Sequence, residues 1–303
     1  MEKILSRITL IRKDHRNLWN MLLVRFSRYF KDVQYIKLKY RLWFGKEINL
    51  DNPQTFNEKL NWLKLNNRNP MYCMMADKYW VKKWVARQVG EEYVVPCYGH
   101  WKRLEDIDFD KLPDRCYLKS NQDSGGGMLL DKNKGVDMFF LKQRFGKKAI
   151  ARKNWYWSSR EYAYKNIEPC ILAEKYLDEG TGHELHDYKF WCFNGKPTYM
   201  YVTNKGTIIK ENFYDMDFNP VMIDHGFERT VPEYEKPANF EKMKEIAEKL
   251  SVGIPFVRID FFNVDNHLYF GECTFYDWAG FQPFGDEKWD IELGKLIRLP
   301  KDQ

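Results

Sequence analysis

VRIDFFNVDNHLYFGECTF, residues 257–275, holds two short runs of apolar and aromatic residues separated by Asp265 and Asn266. Runs of that kind are strands, and an Asp-Asn pair between them accepts the positive φ of a tight hairpin turn. Alternate residues of a strand share a face, so Arg258 and Asp260 point one way from the first strand, and Glu272 and Thr274 point together from the second. The turn is expected to bring the four together. An unpaired carboxylate is costly to bury among such apolar neighbours, so Asp260 and Glu272 need compensation. Two sources are open. One is an ion pair with Arg258 alone. The other is Mg²⁺ held by the two carboxylates and a neutral oxygen while bridging phosphates, with Arg258 neutralising a phosphoryl group in transfer.

Working outward, YLKSNQDSGGGMLLDKNKG (residues 117–135) places Gly125, Gly126 and Gly127 between two strand-like runs. In a P-loop the lysine follows the glycines at a helix start; here Lys119 precedes them and MLL follows, so neither the P-loop nor the Rossmann fingerprint fits. Protein kinases cover ATP with a glycine loop between strands, but the chain has no His-Arg-Asp and no Asp-Phe-Gly. What remains is a plain hairpin turn, or a loop whose backbone approaches phosphates closely while Lys119 projects toward them. A second cluster, ILAEKYL followed by HDYKFWCF, puts Glu174, Lys175 and Leu177 at a strand end before a polar linker, with Asp187 opening the next strand. Free backbone groups at a strand end can pair with an adenine edge, and Asp187 can take ribose hydroxyls.

The 303 residues are 44% hydrophobic and 17% aromatic, enough for a sizeable core. Six scattered cysteines without Cys-x-x-Cys spacing read as reduced thiols of a cytoplasmic protein. No apolar run of about 18 residues occurs, and MEKILSRITLIRKDHR is too interrupted by charge for a signal peptide. The net charge of +6 is local: residues 1–48 hold twelve Lys or Arg against four Asp or Glu, which leaves the remainder at −2 and argues against a nucleic-acid partner. NLWNMLLVRFSRYFKDV has helical spacing; basic amphipathic helices there can lie on an anionic bilayer or pack on their own domain. Deleting residues 1–40 is expected to leave the rest folded. Thr55 and Glu58 form a capping-box signal before FNEKLNWLKL, a further helix is expected through ADKYWVKKWVARQV to Gly90, and FEKMKEIAEKLSVG is an amphipathic helix ended by Gly253. Between them lie short β-branched or aromatic strands, so the class expected is α+β with antiparallel sheets.

In this order and polarity the motifs resemble the ATP-grasp superfamily, specifically the group linked to teichuronopeptide and capsular polysaccharide synthesis, from about residue 42 onward. Asp77-Lys78, Lys119 before the glycine loop, the hinge Glu174, Lys175, Tyr176 and Leu177, the acid Asp187, and Arg258, Asp260, Glu272 and Thr274 are similar to that superfamily's motifs. NPQTFNEKLNWLKL, DYKFWCFNGKP and LGKLIRLP resemble the polysaccharide-linked group. Two departures stand out: Thr274 where asparagine is usual, and Lys205 where arginine is usual.

The resemblance implies a helical region over 1–75 and two ATP-clamping parts over 76–170 and 171–303. It implies ATP held by Lys78, Lys119, Ser124, Gly125, Gly126, Gly127, Glu174, Lys175, Tyr176, Leu177, Asp187, Lys189 and Lys205. Mg²⁺ would sit on Asp260, Glu272 and Thr274, with Arg258, Lys119 and Lys78 catalytic. The implied activity is a carboxylate–amine ligase acting through an acylphosphate, joining an amino acid to a uronic acid of a surface glycan (capsule, teichuronopeptide or lipopolysaccharide) or building a glutamyl peptide on it. If the acceptor is lipid-linked, the basic segment 1–48 is expected to keep the enzyme at the inner membrane face. The acceptor is expected beside CTFYDWAGFQPFG, against Tyr276, Trp278 and Phe281. Two alternatives are a glycosyltransferase, for which Asp215-Met-Asp217 supplies the acidic pattern, and an inactive ATP-binding accessory protein. His183 and His186 lack the further ligands a zinc site needs.

Overall fold

The computed structural model describes residues 15–123, 125–151, 154–178, 185–203 and 209–300. The strand texture becomes two antiparallel sheets. The first contains β1 (Cys97–Trp101), β2 (Arg115–Ser120), β3 (Met128–Asp131) and β4 (Ile171–Lys175) in the order β1-β4-β2-β3. Alternation in β2 buries Cys116 and Leu118 on one face, against Leu141 and Phe145 of a helix over Met138–Phe145. Tyr117 and Lys119 are thereby turned to the other face.

The second sheet is larger: β5 (Asp187–Phe193), β6 (Lys196–Thr203), β7 (Glu211–Tyr214), β8 (Pro220–Val221), β9 (Phe256–Val264) and β10 (His267–Thr274), ordered β10-β9-β5-β6-β7-β8. Both its faces are covered. The helix Phe240–Ser251 buries Phe240, Met243, Ile246 and Leu250, with Phe240 packing on Phe190. Phe56, on the helix Phe56–Asn66, packs on Trp191 and Phe256 of the opposite face. Each such buried aromatic contributes about 2–3 kcal/mol of apolar transfer. Thr55 and Glu58 cap that helix reciprocally, as their spacing predicts. Gly294 touches it so closely that a Cβ would lie 2.2 Å from the Gln54 carbonyl oxygen, which gives LGKLIRLP a packing role.

Two expectations are corrected. The helix read through ADKYWVKKWVARQV breaks: Met71–Ala76 and Trp80–Val89 are separate, and Asp77 is extended (φ −74°, ψ 112°). Its carboxylate accepts from the Tyr79 and Trp80 N–H groups (2.8 and 3.2 Å), so Lys78 stands outside either helix. A clean deletion of residues 1–40 is also excluded. The helix Asp32–Phe44 buries Tyr35, Ile36, Lys39 and Tyr40, and Ile36 and Tyr40 form a core with Ile48 and Phe281. Residues 15–25 form the preceding helix, whose outer side is exposed. The six cysteines are free, and Cys116, Cys170, Cys192 and Cys273 are buried.

Candidate active site

The β9–β10 hairpin turns through Asp265 and Asn266 at φ 51° and 59°, as expected of that pair. The turn alone would oppose Asp260 with Gly271 and send Glu272 to the far face. A bulge between Phe270 and Glu272 shifts the register, so that Asp260 faces Glu272 and Arg258 faces Thr274. A Cβ on Gly271 would come within 3.0 Å of the Asp260 carbonyl oxygen, so this bulge is tight. The sequence-based grouping is therefore right because of one extra residue that the reading of the turn did not include.

Around this hairpin the charges interlock. Arg258 donates through Nε and Nη2 to both oxygens of Asp260 (2.7 and 2.8 Å), through Nη2 to Glu272 (3.2 Å), and through Nη1 to Asp277 and the Tyr201 hydroxyl. Lys78 Nζ lies 2.8 Å from Glu272, while its own backbone N–H is bonded to Asn121 at the end of β2. Lys189 Nζ reaches Asp260 (2.8 Å) and Asp187 (3.3 Å). Thr274 Oγ1 is 3.4 Å from Glu272. On the first sheet, Glu174 accepts from Lys119 (2.6 Å) and Lys82 (2.9 Å). Burial pushes the Glu272 carboxyl up, but Lys78, Arg258 and Lys189 outweigh it and hold it far below the usual carboxylate range. Burial lowers Lys119 despite Glu174, with Lys82 and Lys78 adding to the drop.

The glycine loop is held from outside. Arg144 donates to the carbonyl oxygens of Gly126 (2.9 Å) and Gly127 (3.1 Å). A Cβ on Gly127 would fall 2.2 Å from the Tyr117 ring, so the loop hugs the face that carries Lys119. Ser124, His183 and Lys205 lie outside the described residues. In the hinge, the Lys175 N–H donates to Pro96 O (2.8 Å) with its side chain exposed, Tyr176 sits under the Arg115 guanidinium (4.8 Å), and Leu177 is half-buried.

Asp277, Tyr201, Lys82 and Arg144 are site residues that sequence reasoning missed. Asp277 also lies 3.6 Å from His225 Nε2, whose Nδ1 is 3.0 Å from Glu211. The expected aromatic platform is corrected. Tyr276 and Phe281 are buried, whereas Trp278 is 43% exposed and stacks on Phe227 at 5.1 Å. Trp278 and Ala279 adopt left-handed backbone (φ 44° and 55°), a strained turn for side chains of this kind. Asp215 belongs to its own turn, accepting from the N–H groups of Asp217 and Asn219. No group of three metal-ligating side chains occurs among the described residues. Two carboxylates and a hydroxyl nonetheless suit Mg²⁺, a cation that takes oxygen donors and fills its remaining positions with water and phosphate.

A hinge joining two antiparallel sheets, lysines and a glycine loop on one and paired carboxylates on the other, is the arrangement of an ATP-grasp protein. The branch follows from sequence: the pattern of the TupA-like ATPgrasp family matches residues 58–298, and the chain belongs to that family. No curated protein matches it. Among solved structures it is similar to D-alanine–D-alanine ligase from Bacillus anthracis complexed with ATP (15% identity, 66% of this chain and 53% of that one, TM-score 0.39). It is also similar to the Helicobacter pylori D-alanine–D-alanine ligase (14%, 80% and 69%, TM-score 0.41). A third is the ADP complex of N5-carboxyaminoimidazole ribonucleotide synthetase (14%, 84% and 58%, TM-score 0.44). The chain spans about half the length of the first, and likeness at this level carries no activity across.

Proposed function

We propose that the protein is an ATP-dependent carboxylate–amine ligase that attaches an amino acid to a uronic acid of a surface glycan, in the cytoplasm at the inner membrane face. The observation that carries this reading is the cluster of Lys78, Lys189 and Arg258 around Asp260 and Glu272, beside Lys119 and the glycine loop. A carboxylate oxygen of the acceptor attacks the γ-phosphorus of ATP, and the bond to ADP breaks. The amine nitrogen then attacks the acyl carbon, loses a proton, and phosphate departs. Lys78, Lys119, Lys189 and Arg258 neutralise and orient the phosphates, so positioning and charge do the catalysis. Asp260, Glu272 and Thr274 would hold Mg²⁺, which supplies charge stabilisation when bound. Asp277 and Tyr201 keep the Arg258 guanidinium in place. The exposed face of Trp278, next to Asp277, suits stacking against a sugar ring, which favours a carbohydrate acceptor.

The test is nucleotide selectivity followed by product mass. ATP with Mg²⁺ is expected to raise the melting temperature, and a uronic acid with an amino acid is expected to release ADP and give an amide one water lighter than its parts. Stabilisation by UDP-sugars alone would move the assignment to a glycosyltransferase.

A further inference from the structure

Residues 15–25 form a helix whose apolar side faces solvent. Leu18, Leu22 and Phe26 recur at intervals of four on that side, flanked by Trp19 and Met21, and Tyr29 continues the patch. Trp19 is 60% exposed, Met21 65% and Tyr29 85%. Asn20, Leu23 and Val24 take the half-buried side instead. A soluble helix ordinarily shows the reverse arrangement. The charge around this face has one sign: residues 15–31 carry Arg16, Arg25, Arg28 and Lys31 and no Asp or Glu. Asp32, the next acid along the chain, is turned inward onto Arg68 (2.6 Å) and Arg160 (2.9 Å). No helix among the described residues is long and apolar enough to cross a membrane.

We infer that this face docks on an anionic lipid bilayer, with Leu18, Leu22 and Phe26 entering the acyl boundary, Trp19 and Tyr29 at headgroup level, and Arg25 and Lys31 on the lipid phosphates. Arg16 and Arg28, which lie over the Trp43 and Trp157 rings (4.6 and 4.8 Å), add positive charge behind the face. Amphipathic aromatics prefer that interface, and basic residues near an anionic surface add to the binding. A second copy of the chain is the weaker occupant, because a twofold contact would set the arginines of one face against those of the other. The inference deepens the reading above by naming the surface that brings the enzyme to an acceptor at the membrane. Vesicle binding and ATP binding are separate measurements, so either can fail alone.

The test uses the full chain and co-sedimentation with vesicles of phosphatidylcholine containing roughly one third phosphatidylglycerol, against pure phosphatidylcholine. The protein is expected to pellet with the anionic vesicles only, and less in high salt. Trp19→Ser together with Leu22→Ser is expected to lower partitioning on the order of a hundredfold. Both side chains are exposed, so the melting temperature and the ATP-induced shift should stay unchanged. Equal pelleting of wild type and variant, or no pelleting of the wild type, overturns the inference. So does light scattering without lipid that finds a dimer for the wild type and a monomer for the variant, which would give the face to a second copy.

Discussion

Two groups of buried charge in this molecule are partnered differently. Around the helix Asp32–Phe44, cations end mainly on backbone carbonyls: Lys39 on Ser158 (2.6 Å), Lys64 on Ser159 and Ala279 (3.0 and 2.5 Å), Arg160 on Ser27 and Phe30 (2.5 and 3.1 Å), with one carboxylate, Asp32, on Arg160 (2.9 Å) and one amide, Asn61, on Lys64 (2.9 Å). In the candidate active site, Lys78, Lys119, Lys189 and Arg258 end on side chains. A carbonyl is fixed by the backbone that bears it, whereas a carboxylate can swing away and leave its cation to a phosphate. The first group builds the fold and the second is free to exchange partners. Lys82 and Arg144 mark the border. Lys82 bonds the Val95 carbonyl as well as Glu174, and Arg144 holds carbonyls of the glycine loop, so both anchor residues that would meet a ligand.

The largest effect that bears on this contrast is expected at Glu272. Glu272→Gln keeps the shape of the side chain but removes the charge that Lys78 and Arg258 meet, so the protein should fold with a lowered melting temperature, while ADP release by the folded protein falls about a thousandfold. Near-normal turnover would remove Glu272 from the reacting centre. The structural group should respond the other way. Arg160→Met strands two carbonyls and takes one partner from Asp32, which keeps Arg68 and the Tyr156 hydroxyl, and is expected to cost about 3 kcal/mol in urea unfolding, with ATP affinity in the folded fraction unchanged. A loss of ATP binding without a loss of stability would erase the distinction.

A smaller effect concerns protons. Burial, opposed by Glu161 and joined by the like charge of Arg160, lowers Lys39 to about 8. From pH 8 toward 10.5 the unfolded chain therefore keeps a proton the folded chain has lost, and stability rises with pH in that window. Tyr35 and Tyr40, raised by burial, reverse the trend above pH 10, where the unfolded chain ionises first. Between pH 8 and 10 the stability of wild type relative to Lys39→Met should thus grow by about 2 kcal/mol, read from urea midpoints. A flat difference would show that Lys39 does not titrate there.

The parts of the fold legible in sequence are those whose cause is local. The Asp265-Asn266 turn, the Thr55 and Glu58 cap and the strand alternation around Lys119 each depend on a few adjacent residues. The break at Asp77 was hidden because apolar spacing continues across it, and only the capture of the Tyr79 and Trp80 N–H groups by its carboxylate ends the helix. The short strand Glu211–Tyr214 is buried on both faces and shows no alternation to read. Asp277 reaches Arg258 from a left-handed turn that no periodicity announces, and the bulge after Phe270 depends on how two strands slide past each other. The two amino-terminal helices share one composition and differ only in what packs on them.

Lys78, Lys82, Lys119, Lys189 and Arg258 are matched by Glu174, Asp187, Asp260, Glu272 and Asp277, five positive groups to five negative. These ten paired groups balance one another before anything enters, so this cluster adds little long-range pull on a polyanion. On the ligase reading, nucleotide capture then proceeds by displacement: phosphate oxygens take the lysines, and Glu272 and Asp260 are released in the same event as oxygen donors for a cation travelling with the nucleotide. The association rate of such a pocket should be nearly indifferent to ionic strength, unlike that of a site built from bare cations.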